Sequence, residues 1–169
     1  MTQAPMPELT RPFPRDRIGQ GTMVLVEANA AERAALARRM GLPDIMHLAC
    51  EFDLERALGD VTPATGHLRA RVMQTCVVSL EPFEAMIEEA FVLRFVPAGS
   101  ENDELDLDAV DEVPYLGNVL DLGEAAAEQL ALALDPFPRQ PGAALPEDAG
   151  AEEDLGAFSA LAALRRPEQ

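Results

Sequence analysis

The sequence predicts an α+β fold in which a mainly antiparallel β-sheet of roughly four to six strands is covered by two helices on one face. Three observations lead there. Several runs alternate apolar and polar residues with period two, as half-buried strands do. Two Ala-rich segments follow helix N-cap patterns. An acid-rich stretch and a Pro/Gly-rich stretch break the periodicity. The expected organisation is an extended N-terminal arm (1–21), a single α+β domain (22–139) with an acidic loop (98–112), a flexible linker (140–154), and a tethered C-terminal helix and tail (155–169).

A hairpin organises the expected sheet, with strands Leu68–Val78 and Phe83–Val96 joined at Leu80-Glu81-Pro82. Phe83, Ala85, Ile87, Phe91, Leu93 and Phe95 share one parity, whereas Glu84, Glu88 and Arg94 share the other. Leu68, Ala70 and Val72 alternate with Arg69 and Arg71 in the same way. Pro82 sits at a strand start, where a missing N–H does little harm.

Along the chain, Pro5, Pro7, Pro12, Pro14, Gly19 and Gly21 mark the arm, with a short edge strand around Leu9–Phe13. Thr22–Glu27 is a β-branched apolar run and reads as a strand. Asn29 is an N-cap with Glu32 at N3, opening a helix over Ala31–Met40 that Gly41 and Pro43 terminate. Ile45–Glu55 reads as a strand with Met46, Leu48, Cys50, Phe52 and Leu54 on one face and His47, Glu51, Asp53 and Glu55 on the other. Gly59–Gly66 reads as a turn. Ala98–Glu112 is acidic without an apolar period and reads as a solvated loop, with order resuming near Val119. Asp121 caps a second helix that runs to about Leu134, with an apolar stripe of Leu122, Ala126, Leu130, Ala133 and Leu134. Asp135-Pro136-Phe137-Pro138 stops it. Leu155, Phe158, Leu161, Ala162 and Leu164 give the terminal helix, Leu155–Arg165, an apolar face.

Charge limits the function classes. The chain has 169 residues, 48% of them hydrophobic, and a formal net charge of −17 with no Lys among its 13 basic residues. The net charge is +2 over residues 1–40, −5 over 41–98 and −14 over 99–169. Such a surface repels phosphate backbones and attracts basic partners, faster at low salt. Two cysteines are too few for a disulfide framework. No apolar run approaches the roughly 18 residues of a membrane helix. Met1–Pro5 lacks the pattern of a signal peptide. A cytoplasmic protein without a membrane partner is expected.

Chemistry-bearing residues are few. His47, Cys50, His67 and Cys76 nominally form a Cys₂His₂ set, but structural zinc draws on tight ligand pairs. His47 and Cys50, three apart on a strand, point to opposite faces, so no metal is expected. Glu101–Glu112 has no Gly where a calcium loop needs one. Arg69, Arg71 and Arg94 fall on one sheet face, where they could fork onto phosphates or carboxylates, or pair with Glu84 and Glu88 across the hairpin. Arg33, Arg38 and Arg39 make a second basic cluster on the first helix, read as a solvated face.

Four segments carry a resemblance: Val72–Phe83 (VMQTCVVSLEPF), Asp121–Glu124 (DLGE), Ala131–Arg139 (ALALDPFPR) and Phe158–Arg165 (FSALAALR). In this order they resemble the YceD family of large ribosomal RNA subunit accumulation proteins, long catalogued as a domain of unknown function. They are most similar to its alphaproteobacterial members, and the resemblance extends through Ala31–Met40. Many members carry a Cys-x-x-Cys pair at the hairpin; Met73 replaces the first Cys here. The resemblance implies a bacterial ribosome-biogenesis factor and supplies no catalytic residue or cofactor.

The expected function is therefore a non-enzymatic factor for large-subunit assembly and large-subunit rRNA accumulation. It would bind a basic ribosomal protein or a pre-large-subunit particle, with direct rRNA contact possible only through its Arg-bearing surfaces. The candidate partner-binding residues are Arg69, Arg71, Gln74, Cys76, Glu81, Arg94, Phe158 and Leu161. The alternative is an unrecognised enzyme acting on RNA through a hairpin site around Cys76, Glu81 and Arg71.

Overall fold

The computed structural model describes residues 7–19, 21–100 and 110–144. In chain order they form β1 (Pro12–Pro14), a single 3₁₀ turn (Arg15–Arg17), β2 (Thr22–Glu27), α1 (Ala30–Met40), β3 (Asp44–Leu54), β4 (Thr62–Thr75), β5 (Pro82–Pro97), β6 (Asp111–Tyr115), β7 (Val119–Asp121) and α2 (Leu122–Ala133). The main sheet has five strands in the order β2-β3-β4-β5-β6, and β1 pairs with β7 in a second, two-stranded sheet. The fold is α+β, as the alternation and the caps imply. Leu155–Arg165 and its residues Phe158 and Leu161, like residues 101–109 of the acidic loop, lie outside the described residues.

Alternation does the sorting. The β4–β5 ladder runs antiparallel from Thr62↔Phe95 to Thr75↔Pro82 without a register break. Leu68, Ala70 and Val72 of β4 are buried, with Ile87, Leu93 and Phe95 of β5, while Arg69, Arg71, Glu84 and Glu88 face outward. The inward residues join one core with Leu36 and Ala37 of α1 and with Leu122, Ala125, Ala126 and Leu130 of α2. Burying such side chains is worth about 1.5–3 kcal/mol each, an upper figure for an extended-chain reference.

Three strand readings need correction, each for a tertiary reason. The Gly59–Gly66 segment is not all turn. The chain reverses at Gly59 (φ +65°), and β4 already begins at Thr62. Gly66 belongs in the strand because the Phe91 ring lies over it, where a Cβ would collide, and that ring meets Phe52 edge-on at 5.7 Å and 72°. In β3 a bulge between Ile45 and His47 changes the parity, so Ile45 rather than Met46 enters the core. Order resumes at Asp111, not near Val119: β6 runs parallel to β5 and buries Val113 and Tyr115. Pro114 is tolerated there because β6 is an edge strand.

The helices begin and end as their caps dictate. The Asn29 side chain accepts from Ala31 and Glu32 N–H while Glu32 Oε2 accepts from Asn29 N–H, and Gly41 closes α1 in the left-handed region. Asp121 Oδ1 accepts from Gly123 and Glu124 N–H at the start of α2, and also from Arg11 N–H at 2.8 Å. Leu122 N–H donates to Arg11 O, and Leu9 is wholly buried. Arg11 pairs with Glu32, Arg39 bridges Glu8 and Glu124, and Arg15 stacks 4.7 Å from the Tyr115 ring centroid. The segment before β2 is thus clasped between both helices. Arg33 and Arg39 are not free on a solvated face: Arg33 donates to the Ala28 and Ile45 carbonyls.

Gly123 shows how tight this clasp is. A Cβ there would sit 2.7 Å from the Leu9 carbonyl oxygen. Helix propensity favours Ala over Gly by about 1 kcal/mol, but overpacking rigid backbone costs about 1–3 kcal/mol and wins. Gly123→Ala is therefore expected to lower the urea-unfolding free energy; an increase would contradict the close approach.

Candidate functional site

The tip of the β4–β5 hairpin is built from two distant stretches of chain. Cys76 N–H donates to Glu81 O at 2.9 Å, and Leu80 N–H donates to Cys76 O at 2.9 Å, closing the turn. The Cys76 thiol sulfur then accepts from the N–H groups of Val78 and Ser79, both at 3.4 Å, and of Gln140 at 3.3 Å. Val77 N–H donates to Pro138 O at 2.9 Å, and Gln74 Nε2 donates to Asp135 O at 3.4 Å. Asp135 Oδ1 accepts from Phe137 N–H. The Asp135–Pro138 stretch that stops α2 is thereby strapped to the hairpin.

This geometry sets the two thiols apart. Cys76 has no solvent-exposed surface, yet three backbone N–H groups donate to its sulfur. Hydrogen bonding from Ser79 and then from Gln140 stabilises the thiolate more than burial opposes it, and the pKa falls from 9.0 to about 7. Cys50 meets only desolvation, which pushes its thiol up to about 12.

The tip presents apolar side chains. Leu80 is 76% exposed and Phe137 71%, with Val77 also exposed. Leu80 has φ +60°, a left-handed conformation that costs a branched residue about 1–2 kcal/mol. Behind the tip, Met40, Leu42, Pro43, Val77, Leu134 and Pro138 line a cavity of about 420 Å³. The sequence reading did not single out Leu80 or Phe137. The available signal was a lone aromatic between two prolines, where no helical or strand face can absorb it.

The arginines do not form one cluster. Arg69 and Arg71 are exposed on the outer sheet face, Arg69 opposite Glu88 and Arg71 with Nε 3.5 Å from Glu84 Oε1. Arg94 lies on the same face opposite Pro63, about 20 Å along the ladder from Arg69, and its guanidinium pairs with Glu112 at 3.1 Å. Gln74 and Cys76 are buried and shape the turn, while Glu81 is exposed at its end. Arg71 stands five residues before Cys76 on the outward parity, about 17 Å away along the strand, so Cys76, Glu81 and Arg71 are not brought into one site. Among the described residues, no group of three or more His, Cys, Asp or Glu could hold a metal ion, and no helix is long and apolar enough to cross a membrane.

The chain is an α+β protein whose sheet has one helix-covered face, one open face and a strapped hairpin. Residues 64–165 match the family described as large ribosomal RNA subunit accumulation protein YceD, and the chain belongs to that family. The match spans more than half of the chain and begins within β4; α1 precedes it. It takes in the hairpin, the Asp121–Glu124 clasp and the Asp135–Pro138 strap. The family description ties the chain to ribosome biogenesis and the accumulation of large-subunit rRNA. No curated protein and no solved structure gives a significant match.

Two predictions follow from the tip. A thiol whose folded pKa lies below its unfolded value adds stability that is fully present above about pH 9 and lost as pH falls through about 7. The Tm difference between the wild type and Cys76→Ala should therefore widen from pH 6 to pH 9. Comparing the two in the same buffer cancels Cys50, whose shift has the opposite sign. A constant difference would mean that Cys76 does not titrate in this window. Leu80→Gly relieves the left-handed strain and is expected to stabilise the fold by about 0.5–1 kcal/mol in urea melts. A loss of stability would show that the Leu80 side chain packs in solution.

Proposed function

We propose that this chain is a non-enzymatic factor for large ribosomal subunit assembly, acting in the cytoplasm by binding a basic ribosomal protein or a pre-large-subunit particle. The observation that carries the reading is the family match over residues 64–165. Charge supports the choice of partner: a net charge of −17, concentrated in the C-terminal part, favours fast encounter with a basic protein and disfavours unaided RNA binding. Any direct rRNA contact would fall to exposed arginines such as Arg69 and Arg71 on the sheet face and Arg38 on α1, because Arg94, Arg11, Arg33 and Arg39 are engaged within the fold. The exposed Leu80 and Phe137 at the tip suit a partner that covers apolar surface.

The strained, exposed Leu80 supports binding at the tip, since it costs the fold free energy and faces solvent. An RNA-directed nucleophile at Cys76 draws no such support, because its sulfur is enclosed and engaged by three N–H donors.

The test is depletion of the protein in its host, followed by the ratio of large- to small-subunit rRNA. A selective fall in the large-subunit RNA is expected, restored by the wild-type chain. An unchanged ratio during slowed growth would overturn the assembly reading.

A further inference from the structure

We propose that the free edge of β5 docks an extended basic segment of a partner protein, which adds to the sheet as a further strand. This rests on the reading of the chain as a factor that binds a basic protein, and it specifies the surface and the mode.

The first observation is backbone. β6 pairs with β5 only from Leu93 to Pro97. Among the described residues, Pro82–Val92 has a strand on its β4 side alone, leaving roughly 35 Å of strand with alternate N–H and C=O groups directed outward. Native sheets usually blunt such edges with short strands, bulges, prolines, charged side chains or a covering element, and here the charges are all acidic. Here the β4–β5 register is unbroken, Pro82 sits at the very end, and Phe83–Val92 contains no cation.

The second observation is charge. Glu84, Glu88 and Glu89 lie on this segment, Glu88 and Glu89 are exposed, and Asp111 stands where β6 begins. An acidic strand would be repelled, and a nucleic acid would meet the same field. A basic strand is drawn in.

The third observation is a cleft of about 490 Å³ at the end of the open edge, lined by the apolar Phe91, Val92, Val110, Leu132 and Ala133 together with Glu89, Asp111 and Gln129. Leu132 is 70% exposed although it lies on α2. Because strand side chains alternate between faces, an added strand would send one set of residues toward the cleft and the other beside Glu84 and Glu88. The occupant is therefore a segment in which apolar and basic residues alternate, the mode of β-strand addition to a sheet edge.

The experiment uses the full chain and a fluorescent twelve-residue peptide of alternating Arg and Val, read by anisotropy at low and high salt. Two further peptides carry N-methyl groups at every second residue, in opposite phases. The proposal expects salt-sensitive binding, at least tenfold loss with one methylation phase but not the other, and at least tenfold loss in a Glu88→Lys/Glu89→Lys variant. Amide exchange should slow within Pro82–Val92 when the unmethylated peptide binds. Equal binding of all three peptides would mean charge attraction alone and overturn the proposal, as would no binding at low salt. Protection in the free protein of the amides that point away from β4, from a covering segment of the chain itself, would overturn it too. The two readings fail separately: peptide binding decides the edge, and the rRNA ratio in depleted cells decides the assembly role.

Discussion

The unbroken ladder between β4 and β5 is the constraint on which the remaining structure depends. Its fourteen pairs hold a single parity, so Leu68, Ala70, Val72, Ile87, Leu93 and Phe95 feed one core while Arg69, Arg71, Glu84 and Glu88 stay wet. A slip of one residue would reverse that assignment along the whole hairpin. The magnitudes show which face holds the fold. Buried Leu and Phe side chains contribute on the order of kilocalories each, whereas a half-exposed pair such as Arg71–Glu84 at 3.5 Å contributes less than about 1 kcal/mol. Gly66 serves the same ladder by leaving room for Phe91 to reach Phe52 across three strands.

A second constraint joins the N-terminal segment to both helices. Asp121 satisfies the first turn of α2 and the Arg11 N–H together, Gly123 admits the Leu9 backbone, and Glu124 meets Arg39 from α1. The short Asp-Leu-Gly-Glu motif thus has an architectural explanation. Each residue makes a contact that the adjacent backbone cannot make for itself. Arg39, held between Glu124 and Glu8, is further committed to its charged form.

The hairpin tip applies the same logic to polar groups. Three backbone N–H groups converge on one sulfur, and the strap from α2 supplies one of them from 64 residues away. The tip is consequently tied to a distant stretch of chain, and it holds Leu80 outward in a left-handed conformation.

Local pattern alone carried the strand parities of β4 and β5, the extent of β2, both helix N-caps and the Gly41 stop, because each depends on residues within a few positions of one another. The candidate site was only half legible. Gln74, Cys76 and Glu81 stood out by type and place, but the work of Gln74 and Cys76 in shaping the turn depends on Asp135 and Gln140, more than 60 residues later. Arg69, Arg71 and Arg94 do share one sheet face, but parity fixes the face and not the distance along the strand, so Arg94 stands apart with Glu112. The bulge that turns Ile45 inward, the strand that begins at Thr62 and the parallel pairing of β6 each arise from a neighbouring strand's demands. By itself the sequence determined the periodic elements, their ends and the acidic balance, since these follow from covalent neighbours and charge counting. Only the tertiary structure decided which strand edge stays open and which polar groups meet, because those outcomes depend on partners that sequence distance conceals.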